Sequence, residues 1–412
     1  MNTSMLAPTP LEDAFSHNVH PGLTANSELY PRTAGIHVRR RHVAAAILSS
    51  LVALSILAVL AFHGFIAWQL AYPYVAPLGS NPSLAKNLAY HDVAFPSESG
   101  RTTVHGWYIP SASPSERTIV FSHGYGANRE ETWVPMYELA ELLHGLKYNV
   151  LMFDYGYAAS ADKSPATGGR EESQQLLAAV NYVKAEGAEE VVIWGFSMGA
   201  GTALQAALQT DAIDAMILDS MFLTDSDTLF NNVTQLVNLP RFPSQPLIQT
   251  MLGLWTGTAI NDIPAELVKQ TTYSIPIYMI HGTEDNKAPV VMAEQIAAQQ
   301  SNPLSRTWIV EGGHHEMLFR LHPREYIQRA AVFLSQVHEV DTAVATTVAH
   351  SVPDPAAEAV TDLSFVTESD SPLGAVPDLA SVTSPDSPPH ISRSSTDTVI
   401  AAADVPPSQP AQ

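Results

Sequence analysis

The chain has 412 residues, a formal net charge of −21 and no cysteine, and these properties exclude several kinds of protein. Without cysteine there are no disulfides, no thiolate nucleophile and no cysteine-ligated metal site. A charge of −21 leaves no basic surface to neutralise phosphates, so no nucleic-acid partner is expected. The acidity is uneven, because residues 341–412 hold ten acidic side chains against one base, Arg393, and so supply −9 of the −21.

The N-terminal region divides into a polar segment and an apolar one. Residues 1–42 show no sustained hydrophobic period and are predicted to be a mobile segment. Three arginines at 39–41 end it, and residues 43–62 then follow without a charge. About 20 helical residues cover the roughly 30 Å hydrocarbon core of a bilayer. We therefore predict a transmembrane helix at 43–70, with Trp68, Tyr72 and Tyr74 in the interfacial aromatic belt.

A cleaved signal peptide is the alternative to this anchor. It is disfavoured because its charged region would span some forty residues and its apolar run would exceed the usual length of about 7–15 residues. The arginine cluster predicts a cytoplasmic N-terminus and an extracytoplasmic remainder by the positive-inside rule. Residues 71–85 contain Pro and Ser and are predicted to be a linker.

Residues 86–340 alternate between strand-like and helix-like patterns. The strand-like runs are 88–95, 102–109, 118–122, 148–153, 191–196, 215–218, 277–280 and 306–310. The helical patterns are 131–146, 171–186, 198–209, 290–300 and 323–337. This order predicts an α/β domain with a mostly parallel central sheet and helices on both faces. Residues 341–412 are rich in Pro, Ser and Thr and are predicted to be a disordered acidic tail, with a protein-binding role left open.

The strongest local motif is Gly195-Phe196-Ser197-Met198-Gly199, which follows a Val/Ile run and precedes a helix-forming run. A serine at a tight strand-to-helix turn needs small residues two positions before and two after it. Such a turn exposes the hydroxyl above the edge of the sheet. Ser197 is therefore the predicted nucleophile of a serine hydrolase.

A serine hydroxyl needs a base, and the base needs an orienting acid. After a tight strand-to-helix turn of this type, here called the elbow, the acid and then the histidine follow in the chain. Asp285 lies in a loop after the run 277–280 and is the predicted acid, with Glu284 and Asp219 as competitors.

The candidate bases are two adjacent histidines in another strand-to-loop junction. His314 directly follows the pair Gly312-Gly313 and is the predicted base, ahead of His315. Two other histidines, His123 and His281, also end strand-like runs and are interpreted as structural.

The run 119–122 ends in His123-Gly124-Tyr125-Gly126, which would expose backbone N–H groups beside the nucleophile. The N–H groups of Tyr125 and Met198 are the predicted oxyanion donors. The predicted mechanism requires no cofactor and no metal.

These pieces together resemble the α/β-hydrolase superfamily, over roughly residues 88–337. The resemblance is closest to single-span, membrane-anchored α/β-hydrolase-domain esterases with peptidase-like motifs. It implies the α/β-hydrolase fold and cleavage of an ester, thioester or amide through an acyl-enzyme. The segment 153–160 departs from that group, because an arginine is missing and Ala158 stands where glycine is usual. The loop near the acyl pocket is therefore expected to differ in shape.

Residues 220–274, here called the lid segment, interrupt the alternation. Leu247, Met251, Leu254 and Trp255 share one face of a predicted helix. One hypothesis is that this face covers an acyl-binding pocket for a small ester or lipid-like substrate. Ordinary core packing of the same face is the alternative. At the level of function, a peptidase or amidase and a non-catalytic binding protein remain the alternatives to an esterase.

Overall fold

The computed structural model describes residues 33–160 and 162–351. Within this part of the chain, eight strands form one sheet in the order β1-β2-β4-β3-β5-β6-β7-β8. The strands are β1 (His91–Pro96), β2 (Thr103–Ile109), β3 (Arg117–Ser122), β4 (Asn149–Asp154), β5 (Glu190–Phe196), β6 (Ala215–Asp219), β7 (Ile277–Gly282) and β8 (Arg306–Val310). The pairs β1–β2 and β2–β4 are antiparallel, and the other neighbouring strands are parallel.

The helices follow the strands in the alternating order that the sequence predicts. They are α1 (Thr33–Ala71), α2 (Pro82–Lys86), α3 (Met136–Gly145), α4 (Arg170–Ala185), α5 (Met198–Ala207), α6 (Ser226–Leu236), α7 (Arg241–Thr256), α8 (Ala265–Gln270), α9 (Val290–Ala298), α10 (Leu318–Leu321) and α11 (Pro323–Ser351). A 3₁₀ turn lies at Ile260–Asp262, and extended backbone at Phe242 interrupts α7.

The sheet is covered on both faces, because successive side chains of a buried parallel strand point to opposite sides. On β5, Val191 and Ile193 pack with α4, α5 and α9. Their neighbours Val192 and Trp194 pack on the other face with α3 and α11. The predicted fold class is confirmed, and the eight predicted strands are present with ends shifted by three residues or fewer. Helix α3 begins later than predicted because Pro135 immediately precedes it.

Helix α1 is long and apolar enough to cross a membrane by length and composition, and a signal sequence would meet the same criterion. Most of its large apolar side chains are exposed, but its last turns pack on the domain that contains the sheet. Ile66 and Leu70 contact an apolar cluster of α6 and α7. The final carbonyl, that of Ala71, accepts a hydrogen bond of 2.7 Å from the N–H of Ala166.

Two predicted boundaries differ from the structure. Helix α1 begins at Thr33, inside the segment that the sequence predicts to be mobile, and α11 continues to Ser351, past the predicted domain end at 340. Extending an existing helix costs little compared with starting one, so both helices run beyond the apolar patterns that identify them. The predictions for residues 1–32 and for the tail at 352–412 lie outside the described residues.

Candidate active site

Ser197 occupies a strained turn between β5 and α5. Its φ of 49° and ψ of −119° are unusual for a residue with a side chain. Its N–H donates to the carbonyl of Asp219 at 2.9 Å, and its own carbonyl accepts from Phe222 N–H at 3.0 Å. A Cβ at Gly195 would stand 2.6 Å from the Cα of Ala200, so the turn has no space for a side chain there. The geometry is that of the elbow that the motif predicts.

A histidine and an aspartate extend from the Ser197 hydroxyl in a line. Ser197 Oγ lies 2.8 Å from Nε2 of His315, and Nδ1 of His315 lies 2.7 Å from Oδ2 of Asp285. The other oxygen of Asp285 accepts from the N–H groups of Lys287 and Ala288 at 2.9 and 2.8 Å. An ionised carboxylate can only accept hydrogen bonds, so the contact with Asp285 favours the tautomer of His315 that carries its proton on Nδ1. In that tautomer Nε2 is free to accept the proton of Ser197.

The structure corrects the choice of histidine. His314 points away from Ser197, and its side chain is 66% exposed. Its Nδ1 lies 3.2 Å from the Glu284 carbonyl, whereas the side chain of His315 is 8% exposed. Both histidines follow β8, but the backbone direction changes through the loop, and Gly312 adopts a φ of +69°. The two adjacent residues are of the same type, so the sequence does not show which histidine reaches Ser197, and His315 could not be chosen from it.

The two competitors for the acid lie elsewhere. The side chain of Glu284 is 62% exposed and faces His314. Asp219 is buried and accepts hydrogen bonds from the hydroxyls of Ser220 and Tyr326, at 2.7 and 2.6 Å. Burial raises the pKa of Asp219 to about 7. Asp285 is therefore the carboxylate that the fold brings to the histidine.

The two remaining histidines have structural contacts, as the sequence predicts. Nε2 of His123 accepts from Tyr155 N–H at 3.0 Å, and its Nδ1 lies 2.9 Å from the Gly124 carbonyl. Burial lowers the pKa of His123 to about 4, so the ring is neutral and orients the loop after β3. His281 is buried, with Nε2 2.7 Å from the carbonyl of Ala288, and burial lowers its pKa as well.

The predicted oxyanion donors lie at the same cavity as Ser197. Met198 is the first residue of α5, so its N–H has no carbonyl one turn earlier in the helix. Tyr125 and Met198 both line the cavity, together with Ser197 and His315. The Tyr125 hydroxyl donates to the Leu70 carbonyl of α1 at 2.8 Å, which ties the loop after β3 to the N-terminal helix.

The cavity beside Ser197 has a volume of about 350 Å³ and is mainly apolar. The lid segment forms one wall through Leu229, Val233, Leu252 and Ile263, and α1 contributes Leu70. Among the described residues, no group of three or more His, Asp or Glu side chains is arranged to hold a metal ion.

The structure does not place the predicted apolar face of the lid segment over the cavity. Leu254 is 75% exposed and Trp255 is 47% exposed, so neither covers the pocket nor joins the core. Leu252, on another face of α7, lines the cavity instead. Helix α7 packs between the domain and α1, a neighbour far away in the sequence, and local periodicity cannot register that contact.

Comparison with known proteins agrees with this architecture. A family model described as "alpha/beta hydrolase fold" matches residues 117–248, which include β3, the elbow and the start of the lid segment. The chain has the α/β-hydrolase fold. The esterase Pf2001 of Pyrococcus furiosus has the same fold, with a TM-score of 0.53 and 22% identity over 65% of this chain and 98% of Pf2001.

Two bacterial relatives are similar in sequence to this α/β-hydrolase. The uncharacterized protein YfhR of Escherichia coli K12 is 25% identical over 294 residues, covering 68% of this chain and 93% of YfhR. The uncharacterized protein Rv2307c of Mycobacterium tuberculosis is 25% identical over 248 residues, covering 60% of this chain and 79% of Rv2307c. Neither name gives an activity, so the function rests on the fold and the geometry of the site.

Behind the elbow of this α/β-hydrolase, two carboxylates are buried against each other. One oxygen of Glu131 accepts from Gly124 N–H at 2.9 Å, and one oxygen of Glu316 accepts from the Trp133 indole at 2.6 Å. Burial, reinforced by the adjacent Glu316 carboxylate, raises the pKa of Glu131 well above its usual range. The pair lies next to the site, since Glu316 Oε2 is 3.9 Å from Nε2 of His315. This pair could not be identified from the sequence, because Glu131 and Glu316 are far apart in the chain.

Glu131→Gln should make the folded protein more stable at neutral pH than at acidic pH, relative to the wild type. The folded wild type keeps a proton on Glu131 that the unfolded chain releases above pH ~4.3, so this contribution to stability is lost as pH rises. Glutamine can accept from Gly124 and donate to Glu316 at any pH. Melting temperatures should coincide near pH ~4.5, and the variant should melt a few degrees higher near pH ~8.

The matched control is Glu294→Gln, which changes an exposed glutamate on α9. Its melting temperature should follow the wild type across the same pH range. A difference between Glu131→Gln and the wild type that does not change with pH would contradict the raised pKa of Glu131.

Proposed function

We propose that this α/β-hydrolase cleaves a carboxylic ester or thioester through an acyl-enzyme on Ser197. The observation that carries the proposal is the line of hydrogen-bonding distances from Ser197 Oγ through His315 to Asp285. Such a line activates a serine hydroxyl, because the base takes its proton while the acid orients and stabilises the base. An inert structural serine would have no need of this arrangement.

Each step uses one group of the chain. Ser197 Oγ attacks the acyl carbon while its proton passes to Nε2 of His315, and the Asp285 carboxylate stabilises the imidazolium. The N–H groups of Met198 and Tyr125 stabilise the oxyanion that develops on the acyl oxygen. The imidazolium then gives its proton to the leaving alcohol or thiol as that bond breaks. Water, deprotonated by the neutral His315, attacks the acyl-enzyme and releases the acid.

The cavity supports an acyl chain as the group bound beside Ser197. The surface of its walls is mainly apolar, and burying apolar surface there stabilises a bound chain by about 25 cal/mol per Å². The peptidase alternative has less support, because the wall of the cavity is mainly apolar surface, which suits an acyl chain better than a peptide backbone.

The contacts of α1 support an uncleaved membrane anchor rather than a signal peptide. Leu70 contributes to the cavity wall, and the Leu70 and Ala71 carbonyls accept hydrogen bonds from Tyr125 and Ala166. Removing α1 would leave those donors without partners and would open the cavity. In this proposal the N-terminus is cytoplasmic and the catalytic domain is extracytoplasmic, as the arginines at 39–41 predict.

The proposal is tested by ester hydrolysis with the full chain in detergent. Wild-type protein should hydrolyse 4-nitrophenyl esters, and Ser197→Ala should reduce kcat by about 10⁴-fold or more while the melting temperature stays near the wild-type value. Hydrolysis that persists in Ser197→Ala would exclude the proposed acyl-enzyme.

Leu252→Trp should shorten the acyl chain that the enzyme accepts. The larger ring would fill part of the cavity, and overfilling a packed site costs about 1–3 kcal/mol. We expect kcat/KM for a 4-nitrophenyl laurate to fall about tenfold, with the value for the acetate changed by less than about twofold. The control is Leu254→Trp, two residues away and exposed, which should leave both values unchanged. Equal losses on both esters in Leu252→Trp would show that the cavity does not hold the acyl chain.

A further inference from the structure

Six large apolar side chains of the lid segment face solvent, and four of them lie within α6 and α7. Leu236 is 86% exposed, Phe242 81%, Leu254 75% and Trp255 47%. They lie at the end of α6 and along α7, and we call them the apolar lid surface. Large exposed apolar side chains concentrated on one segment mark a candidate binding surface.

The apolar lid surface is attached directly to the N-terminal helix. Trp255 Nε1 donates to the Gly64 carbonyl at 3.1 Å, and Ile66 and Leu70 pack against an apolar cluster of α6 and α7 that includes Ile248. Gly64 lies seven residues before the end of α1, which is about 10 Å along the helix axis. The lid segment therefore runs alongside the last two turns of α1 rather than below them.

The arginines at 39–41, which favour a span that starts at Val43, together with the length of the apolar run indicate the depth of these turns. Residues 43–70 would extend about 42 Å as a helix, whereas the hydrocarbon core of a bilayer is about 30 Å thick. A span that begins at Val43 leaves the core near His63, so the turns that hold α7 lie in the interfacial layer of headgroups. Tryptophan is enriched in this layer, and Trp255 is held there by its hydrogen bond to α1.

The charge of the lid segment suits a lipid surface. No carboxylate occurs between Asp227 and Asp262, and Arg241 is the only charged residue in that interval. This is unusual in a chain with 41 acidic and 20 basic side chains. A surface without carboxylates avoids repulsion by lipid phosphates, and desolvating it costs little.

We propose that the apolar lid surface inserts into the interfacial layer of the bilayer that α1 crosses, and that lipid-borne acyl substrates reach Ser197 from that layer. This inference rests on the proposed function for its substrate but not for its membrane contact. The same α7 presents Leu254 to the lipid and Leu252 to the cavity, so an acyl chain needs to pass only one helix to reach Ser197.

The membrane contact is tested without any enzymatic activity. The full chain and Trp255→Phe are reconstituted into phosphatidylcholine vesicles that carry brominated acyl chains. Bromines near the headgroups should quench wild-type fluorescence more than that of Trp255→Phe, and bromines near the chain ends should quench the two proteins alike. Comparing the two proteins removes the contribution of Trp68. Equal quenching at both bromine depths would overturn the proposal, and a second protein copy on the surface would give that result.

The route of the substrate is tested with the double variant Phe242→Gln/Leu254→Gln. Both side chains are exposed, so folding should be unaffected. We expect hydrolysis of a long-chain ester held in vesicles to fall by about fivefold or more, with 4-nitrophenyl acetate hydrolysis within about twofold of the wild type. Leu84→Gln, which changes a 78% exposed leucine on α2, should lower neither. Equal effects on both esters would overturn the route. Failure of the wild type on both esters would instead overturn the proposed function, and the quenching result would stand alone.

Discussion

Replacing His315 by alanine should lower kcat/KM for ester hydrolysis by about 10⁴-fold or more, whereas replacing His314 should change it by less than about twofold. The difference follows from geometry, because Nε2 of His315 lies 2.8 Å from Ser197 Oγ and His314 faces solvent. Without the imidazole the serine hydroxyl keeps its proton, and Asp285 is left buried without the ring that it orients. The measurement is steady-state hydrolysis of 4-nitrophenyl acetate by each full-length variant.

His314→Ala serves as the matched control for this experiment, since it removes the same side chain one position earlier. In detergent, the melting temperatures of both variants should lie within a few degrees of the wild-type value. A large loss in His314→Ala with activity retained in His315→Ala would mean that the loop after β8 is arranged differently in the working enzyme.

The second large effect is expected from Gly199→Ala. A Cβ at Gly199 would overlap the carbonyl oxygen of Ser122 and come within 2.6 Å of the carbonyl oxygen of His123. Both contacts are with backbone, so α5 or the end of β3 has to move. We expect a loss of stability of about 1–3 kcal/mol, because overfilling a packed site costs that much. Moving the loop after β3 relative to Ser197 should also lower kcat by about 10²-fold.

Gly145→Ala is the control for this substitution. Gly145 ends α3, and a Cβ there would meet nothing within 4 Å. Its melting temperature should equal or slightly exceed that of the wild type, since alanine is the better helix former by up to about 1 kcal/mol. Urea unfolding in detergent measures the stability of both variants, and steady-state kinetics measures their kcat. Normal kcat in Gly199→Ala would contradict the tight packing of the elbow against β3.

Much of the fold could be predicted from the sequence because buried parallel strands are continuous apolar runs. The run 191–196 illustrates this, since every residue of β5 is buried and its end leads directly into the elbow. The small residues at Gly195 and Gly199 reflect close backbone contacts, so the motif carries a geometric constraint that is visible in one dimension. The loop that carries the acid was also predictable, because Asp285 and its competitor Glu284 both follow a buried strand; the structure then shows that Glu284 faces solvent.

The histidine and the lid could not be predicted, for different physical reasons. His314 and His315 differ by one position in an irregular loop, and only the backbone path decides which ring turns inward. Leu254 and Trp255 lie on one apolar face of the predicted helix, but the residues near them in the sequence do not show which element that face contacts. Helix α1 lies almost 200 residues earlier in the chain and occupies the face beside Trp255. The buried pair Glu131 and Glu316 is likewise a product of tertiary packing.

The proposed function depends on activation of the Ser197 nucleophile by His315. Its most direct test is labelling of the full chain by a fluorophosphonate probe, followed by mass spectrometry of the peptide that carries the adduct. We expect one adduct on Ser197 in the wild type and in His314→Ala, and none in Ser197→Ala or His315→Ala, as activation of the Ser197 hydroxyl by His315 requires. An adduct on a different residue, or undiminished labelling of Ser197 in His315→Ala, would contradict it.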